Sequence, residues 1–78
     1  MHKYRFRLSS LSGPIRNGTV YANQHSKAAW KAALLKFDHC FVERQTGIVS
    51  NDGKFGIYQF RNGRRHYLGN IDLAICDH

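Results

Sequence analysis

Between Lys3 and Leu8 apolar and basic residues alternate without a break, Tyr4, Phe6 and Leu8 against Lys3, Arg5 and Arg7. A period of two is the signature of a half-buried strand, because successive side chains point to opposite faces of a sheet. The pattern predicts one apolar face and one cationic face. Ser9 to Gly18 then gathers turn formers, among them Pro14 and Asn17-Gly18, before Thr19 to Ala22 resumes a β-branched and aromatic pattern. These segments predict two strands of a hairpin with a long or bulged connection.

Ser26 to Phe37 has no Gly or Pro and is rich in Ala, Leu and Lys, which predicts the one helix. At about 100° per residue, Ala29, Trp30, Ala33, Leu34 and Phe37 share an arc of about 140°. That arc is the expected core-facing stripe, anchored by Trp30, with Lys27 and Lys31 one turn apart beside it. Ala28, Ala32 and Leu35 then make a second, uncharged patch. It is expected either to reflect helix propensity alone or to be a surface on which a partner packs.

Three extended runs follow. Cys40 to Thr46 predicts a strand, Ser50-Asn51-Asp52-Gly53 a hairpin turn, and Lys54 to Phe60 the next strand. Asn62-Gly63 has the composition of a two-residue hairpin turn and Arg64 to Leu68 is its partner. Ile71, Leu73 and Ile75 alternate with Asp72, Ala74 and Cys76, which suggests one more strand. The expectation is an α+β fold in the order ββαβββ: an antiparallel sheet of four to six strands with one helix packed on a face. With 78 residues, a chain buries only about 60% of its unfolded surface, so residues 1–78 are read as a single small domain.

Charge changes the picture more than composition does. Lys plus Arg number 12 against 5 Asp plus Glu, a formal net charge of +7. Residues 1–37 contain Lys3, Arg5, Arg7, Arg16, Lys27, Lys31 and Lys36 and no acid, whereas bases and acids balance in residues 38–78. A one-sided basic field attracts polyanions. Nucleic acid, a nucleoprotein or an acidic protein surface is the expected partner, and no membrane partner is expected, since no apolar run approaches the roughly 20 residues of a membrane span. No apolar stretch follows the charged start, so a soluble, cytoplasmic protein is expected, with Cys40 and Cys76 as free, partly buried thiols.

Catalysis requires convergent groups, and Asp38, Glu43, Asp52, Asp72 and Asp77 recur at no fixed spacing. No nucleophile elbow or triad is present, the Gly47 to Lys54 stretch has the wrong gap for a phosphate loop, and no enzyme or cofactor is expected. Asp38-His39-Cys40 mirrors Cys76-Asp77-His78, so a Cys₂His₂ set is conceivable only if those segments lie side by side. Neither half has the usual ligand spacing, and no metal is expected. Lys54-Phe55-Gly56-Ile57-Tyr58-Gln59-Phe60 approaches the basic and aromatic alternation of RNA-recognition sheets. It lacks the Gly after the base and carries Ile57 at a stacking position, so Tyr58 and Phe60 are expected to be buried against the helix. Arg61, Arg64 and Arg65 around the Asn62-Gly63 turn form a cluster suited to phosphates or carboxylates. Together with Lys3, Arg5, Arg7, Lys27 and Lys31 they are the expected binding residues, while Ala28, Ala32 and Leu35 are the candidate protein contact.

The sequence of features resembles that of the small phage-encoded anti-CRISPR proteins that inhibit type I surveillance complexes. It runs from the strand of Gly18-Thr19 to Ala22, through Ser26, Ala29 and Ala33 in the helix, to Cys40-Phe41-Val42, Gly53, the Phe55 to Phe60 strand and Asn62-Gly63-Arg64. The resemblance implies a phage or prophage inhibitor that docks on a nucleoprotein in the host cytoplasm without catalysis; a monomer or homodimer is expected. Lys27, Lys31, Arg64 and Arg65 are the positions it marks as contacts. A net charge of +7 does not suit a DNA mimic, so such an inhibitor would bind acidic protein, guide RNA or DNA. The rival expectation is a free-standing DNA- or RNA-binding domain.

Overall fold

The computed structural model describes residues 1–45 and 53–76. The elements are β1 (His2–Ser10), β2 (Arg16–Ala22), α1 (His25–Leu34), β3 (Cys40–Arg44), β4 (Lys54–Arg61) and β5 (Arg64–Ile75), the expected ββαβββ order. The strands form one sheet in the order β2-β1-β5-β4-β3, antiparallel at every pairing. Thr46 and the Ser50, Asn51 and Asp52 of the expected turn lie outside the described residues. Among the described residues no helix is long and apolar enough to cross a membrane.

Two expected strands are one. Arg64 to Leu68 and the run that begins at Ile71 merge into β5, which ends at Ile75 and pairs with β4 along its first part and with β1 along its second. The join is a bulge: Ile57 pairs with Gly69 but Tyr58 with Tyr67, so Leu68 is the extra residue and the strand bends there. The carbonyl of Leu68 is not orphaned, since the N–H of Leu11 donates to it at 3.1 Å. Gly69 is required beside the bulge, because a Cβ there would lie 2.1 Å from the carbonyl oxygen of Ser9. Twelve residues of strand rise about 40 Å, and the longest dimension of the molecule is 43 Å. The β4–β5 hairpin therefore projects past the end of β1. Its tip is the two-residue turn expected, with Asn62 at φ 52° and Gly63 at φ 74°, the paired positive angles that match strand twist. Asn17 and Gly18, by contrast, lie inside β2 opposite Arg7 and Phe6. Residues 11–15, with Pro14, complete that reversal alone.

The helix corrects the expected core. Ala28, Ala29, Ala32 and Ala33 are all fully buried, while Trp30 is 46% exposed and Leu34 and Leu35 are exposed. The inward arc runs from Ala28 through Ala32 and Ala29 to Ala33, rotated by about 100° from the predicted stripe. Close approach is the reason. The helix touches all five strands, and only methyl side chains allow it to sit so deep against the sheet. Ala29, Ala32 and Ala33 pack on Phe6, Leu8, Phe55, Ile57 and Ile71, and Ala28 packs with Tyr4 and Ala22. Trp30 and Lys31 fall about 60° beyond either end of this arc, one toward each sheet edge. Trp30 Nε1–H donates to the Cys40 carbonyl of β3 at 3.1 Å and Lys31 Nζ donates to the Tyr21 carbonyl of β2 at 2.7 Å. Both edge strands are thereby partly closed to further pairing.

Candidate functional site

Because α1 covers one face of the sheet, strand parity decides what the other face carries. Phe55 and Ile57 belong to the helix-side core, so Gly56, Tyr58 and Phe60 point away from it. This overturns the expected burial of Tyr58 and Phe60 against the helix. Register carries the same face across the sheet: Tyr58 sits between Phe41 of β3 and Tyr67 of β5, and Phe60 opposite Arg65. On β1 the outward positions are Lys3, Arg5 and Arg7, paired with Tyr21, Thr19 and Asn17 of β2 and, for Arg5 and Arg7, with Ala74 and Asp72 of β5. Among the described residues no element covers this face.

At one end of the open face is an aromatic cluster. Phe41 is its shared member, stacked on Tyr58 at 5.8 Å and on Phe60 at 5.1 Å between ring centroids, and Tyr67 lies 5.6 Å from Tyr58. Tyr58 lies down over Gly56, where a Cβ would come within 2.8 Å of its ring. Its ring is covered by the guanidinium of Arg65, 4.4 Å from the centroid, and Arg65 is itself ion-paired with Glu43. Phe60, by contrast, is 65% exposed. Burial, then the neighbouring Tyr58, raises the phenol of Tyr67 above its ordinary 10.0, so the Tyr67 ring is uncharged at neutral pH.

At the other end is the basic row. Arg5 and Arg7 are exposed, and neither has a carboxylate within ion-pair distance among the described residues. They border a surface hollow of about 600 Å³ that is also lined by Asn17, Thr19, Asp72 and Ala74. Lys54 pairs with Asp72 on the same face. The described residues of the face thus present Lys3, Arg5, Arg7, Lys54 and Arg65 against Glu43 and Asp72.

The expected binding residues are therefore divided. Lys3, Arg5, Arg7 and Arg65 share the open face. Lys27 and Lys31 belong to the helix layer on the opposite side, and Lys31 is engaged with the Tyr21 carbonyl. Arg64 and Arg65 cannot act as one cluster because consecutive strand residues point to opposite faces. Arg61 and Arg64 face each other across the turn, on the side away from Arg65, and Arg61 Nε donates to Gln59 at 2.9 Å. Ala28 and Ala32 are no contact patch, being fully buried; Leu35 alone of that trio is exposed, at 64%.

Cys40 and Cys76 are free thiols. Cys40 lies level with Gln59 and His66, ten residues from Cys76 along β5, so the register keeps the two segments of the considered Cys₂His₂ set apart. His78 lies outside the described residues. Burial raises the Cys40 thiol above its ordinary 9.0, a backbone N–H partly offsetting it.

Phe41, Tyr58, Phe60 and Tyr67 are the site residues that sequence reasoning missed. One signal for them existed. A two-residue turn at Asn62-Gly63 fixes Phe60 opposite Arg65, and a phenylalanine sharing a face with an arginine near a hairpin tip points to a wet face. Comparison of the chain with protein-family models, curated proteins and solved structures finds no match in any of the three.

Proposed function

We propose that this chain is a non-catalytic nucleic-acid-binding protein whose open sheet face is the binding surface. The observation that carries the reading is the joint presence, on one face that no described element covers, of the Lys3, Arg5 and Arg7 row and the Phe41, Tyr58, Phe60 and Tyr67 rings. Basic side chains neutralise phosphates and release their counterions, and aromatic rings accept bases. Either group alone has an ordinary structural explanation, a solvated strand or a packed cluster. Together on one face they form an amphipathic surface with positive charge at one end.

Fluorescence anisotropy with labelled oligonucleotides at two salt concentrations tests the reading. Affinity should fall steeply as salt rises, and each of Arg5→Ala and Arg7→Ala should reduce the logarithmic salt slope by about one. Absence of binding to any nucleic acid at low salt would refute it.

A second reading, the inhibitor that docks on a type I surveillance complex or another nucleoprotein, draws support from the Arg65–Glu43 pair. That pair makes the aromatic end close to neutral, and exposed aromatic and Arg side chains are enriched at protein interfaces. Pull-down from a lysate with type I CRISPR components should then retain a multi-subunit ribonucleoprotein. Retention of none removes this reading.

A further inference from the structure

We infer that the nucleic acid this face selects is single-stranded, with one base seated on the exposed ring of Phe60 and the phosphates tracked toward Arg5 and Arg7; this rests on the nucleic-acid reading above. The rings decide it. Tyr58, Phe41 and Phe60 form a continuous offset stack, with interplanar angles of 26° and 22°. Arg65 closes the stack over Tyr58, whereas Phe60, 65% exposed, ends it in water. A nucleobase is the ligand that extends such a stack, since every base offers a flat π-face. Only an unpaired strand can present it, because the bases of a duplex are already stacked on their neighbours and offer groove edges instead.

Charge complementarity gives the direction of the track. Near the rings the only base of the described face is Arg65, already neutralised by Glu43, so phosphates gain little there. Arg5 and Arg7, with no such partner among the described residues, flank the hollow at the opposite end of β5. Phe60, level with Arg65, and Arg7, level with Asp72, lie seven β5 residues or about 20 Å apart. A flexible single strand of several nucleotides, with a base stacked at one end and phosphates placed at the other, matches this arrangement. A uniformly anionic rod does not.

Three probes of the same mixed sequence separate the outcomes: single-stranded DNA, single-stranded RNA and duplex DNA, read by anisotropy on the wild-type chain and on Phe60→Ala, Phe60→Tyr and Arg7→Ala. Phe60 lies outside the buried core, so the variants fold; circular dichroism checks this. At least one single strand should bind more tightly than duplex. Phe60→Ala should weaken that binding about tenfold and leave duplex binding unchanged, Phe60→Tyr should restore it, and Arg7→Ala should weaken all probes. Which single strand binds better identifies the sugar. Duplex bound as tightly as both single strands, or single-strand affinity indifferent to Phe60→Ala, overturns the inference while the basic-face reading stands. No binding of any probe removes both.

Discussion

Trp30 offers a sharp quantitative test, because large residues on amphipathic helices are usually read as core and this one is not. A fully enclosed aromatic side chain buries about 150–250 Å²; with the residue 46% exposed, roughly 100 Å² is removed from water here. At about 25 cal/mol per Å² that area contributes about 2.5 kcal/mol. The bond from Trp30 Nε1 to the Cys40 carbonyl adds toward the low end of about 0.5–1.5 kcal/mol, because a carbonyl on an edge strand regains water when the indole is removed. Trp30→Ala should therefore cost about 3 kcal/mol, and Trp30→Phe, which keeps most of the packing, about 1 kcal/mol. A domain of this size is expected to be stable by about 4–12 kcal/mol, so both variants remain folded at room temperature. Urea denaturation followed by far-ultraviolet circular dichroism measures the losses independently of indole fluorescence. A cost for Trp30→Ala under about 0.5 kcal/mol would mean that the indole does not close the β3 edge. Complete unfolding, or a loss above about 5 kcal/mol, would mean that Trp30 is a central core residue after all.

Gly69→Ala should be among the most damaging small substitutions, costing about 3 kcal/mol, since the new Cβ meets the Ser9 carbonyl rather than a yielding side chain; thermal melts would show it, and a wild-type melting temperature would contradict the β1–β5 register. Ala32→Glu should prevent folding, whereas Leu35→Glu should change stability by under about 0.5 kcal/mol; chemical denaturation of the pair distinguishes the buried from the exposed side of α1, and equal effects would refute that assignment. The raised thiol of Cys40 binds its proton more tightly folded than unfolded, so its stabilisation is fully present below the ordinary 9.0 and is lost as pH rises through the folded value. Denaturation midpoints should accordingly fall above about pH 9, and Cys40→Ala should flatten that decline.

Local periodicity made the strands legible. The Lys3 to Leu8 alternation placed β1 and its cationic face, and Asn62-Gly63 placed the β4–β5 turn, because each depends on neighbours in the chain. The orientation of α1 was not legible, for its apolar residues occupy nearly the whole circumference. Which side turns inward was decided by how deep the helix sits against five strands, a tertiary condition that selects Ala28, Ala29, Ala32 and Ala33 over Trp30 and Leu34. The faces of β4 were ambiguous for a similar reason: Phe55 and Ile57 on one side and Tyr58 and Phe60 on the other are equally apolar. The merging of the last two runs into β5 depended on the bulge at Leu68, whose one compositional mark, Gly69 followed by Asn70, reads equally well as a turn between two separate strands. For the candidate site, Lys3, Arg5 and Arg7 were visible as one row. The separation of Arg64 from Arg65 follows from the same two-residue period, while the meeting of Phe41 with Phe60 requires the pairing of two strands whose facing ends, Arg44 and Lys54, are ten positions apart in the chain.

The position of β5 bears on how the protein comes into being. It is the last strand in chain order and the middle one in the sheet. During synthesis the β1–β2 hairpin and α1 therefore emerge with nothing to complete the layer beneath the helix, and β3 and β4 follow as a second fragment. Each fragment holds one edge that the finished molecule hides, β1 in the first and β4 in the second. β5 folds back on β4 through its two-residue turn, a local step, but joins the fragments only by pairing with β1, 59 to 71 positions away in the chain, and that step is slow. Until then both inner edges are open to pairing with other nascent chains. Overexpression at high temperature should accordingly trap aggregates of incomplete chains more readily than the stability of the finished fold alone would suggest.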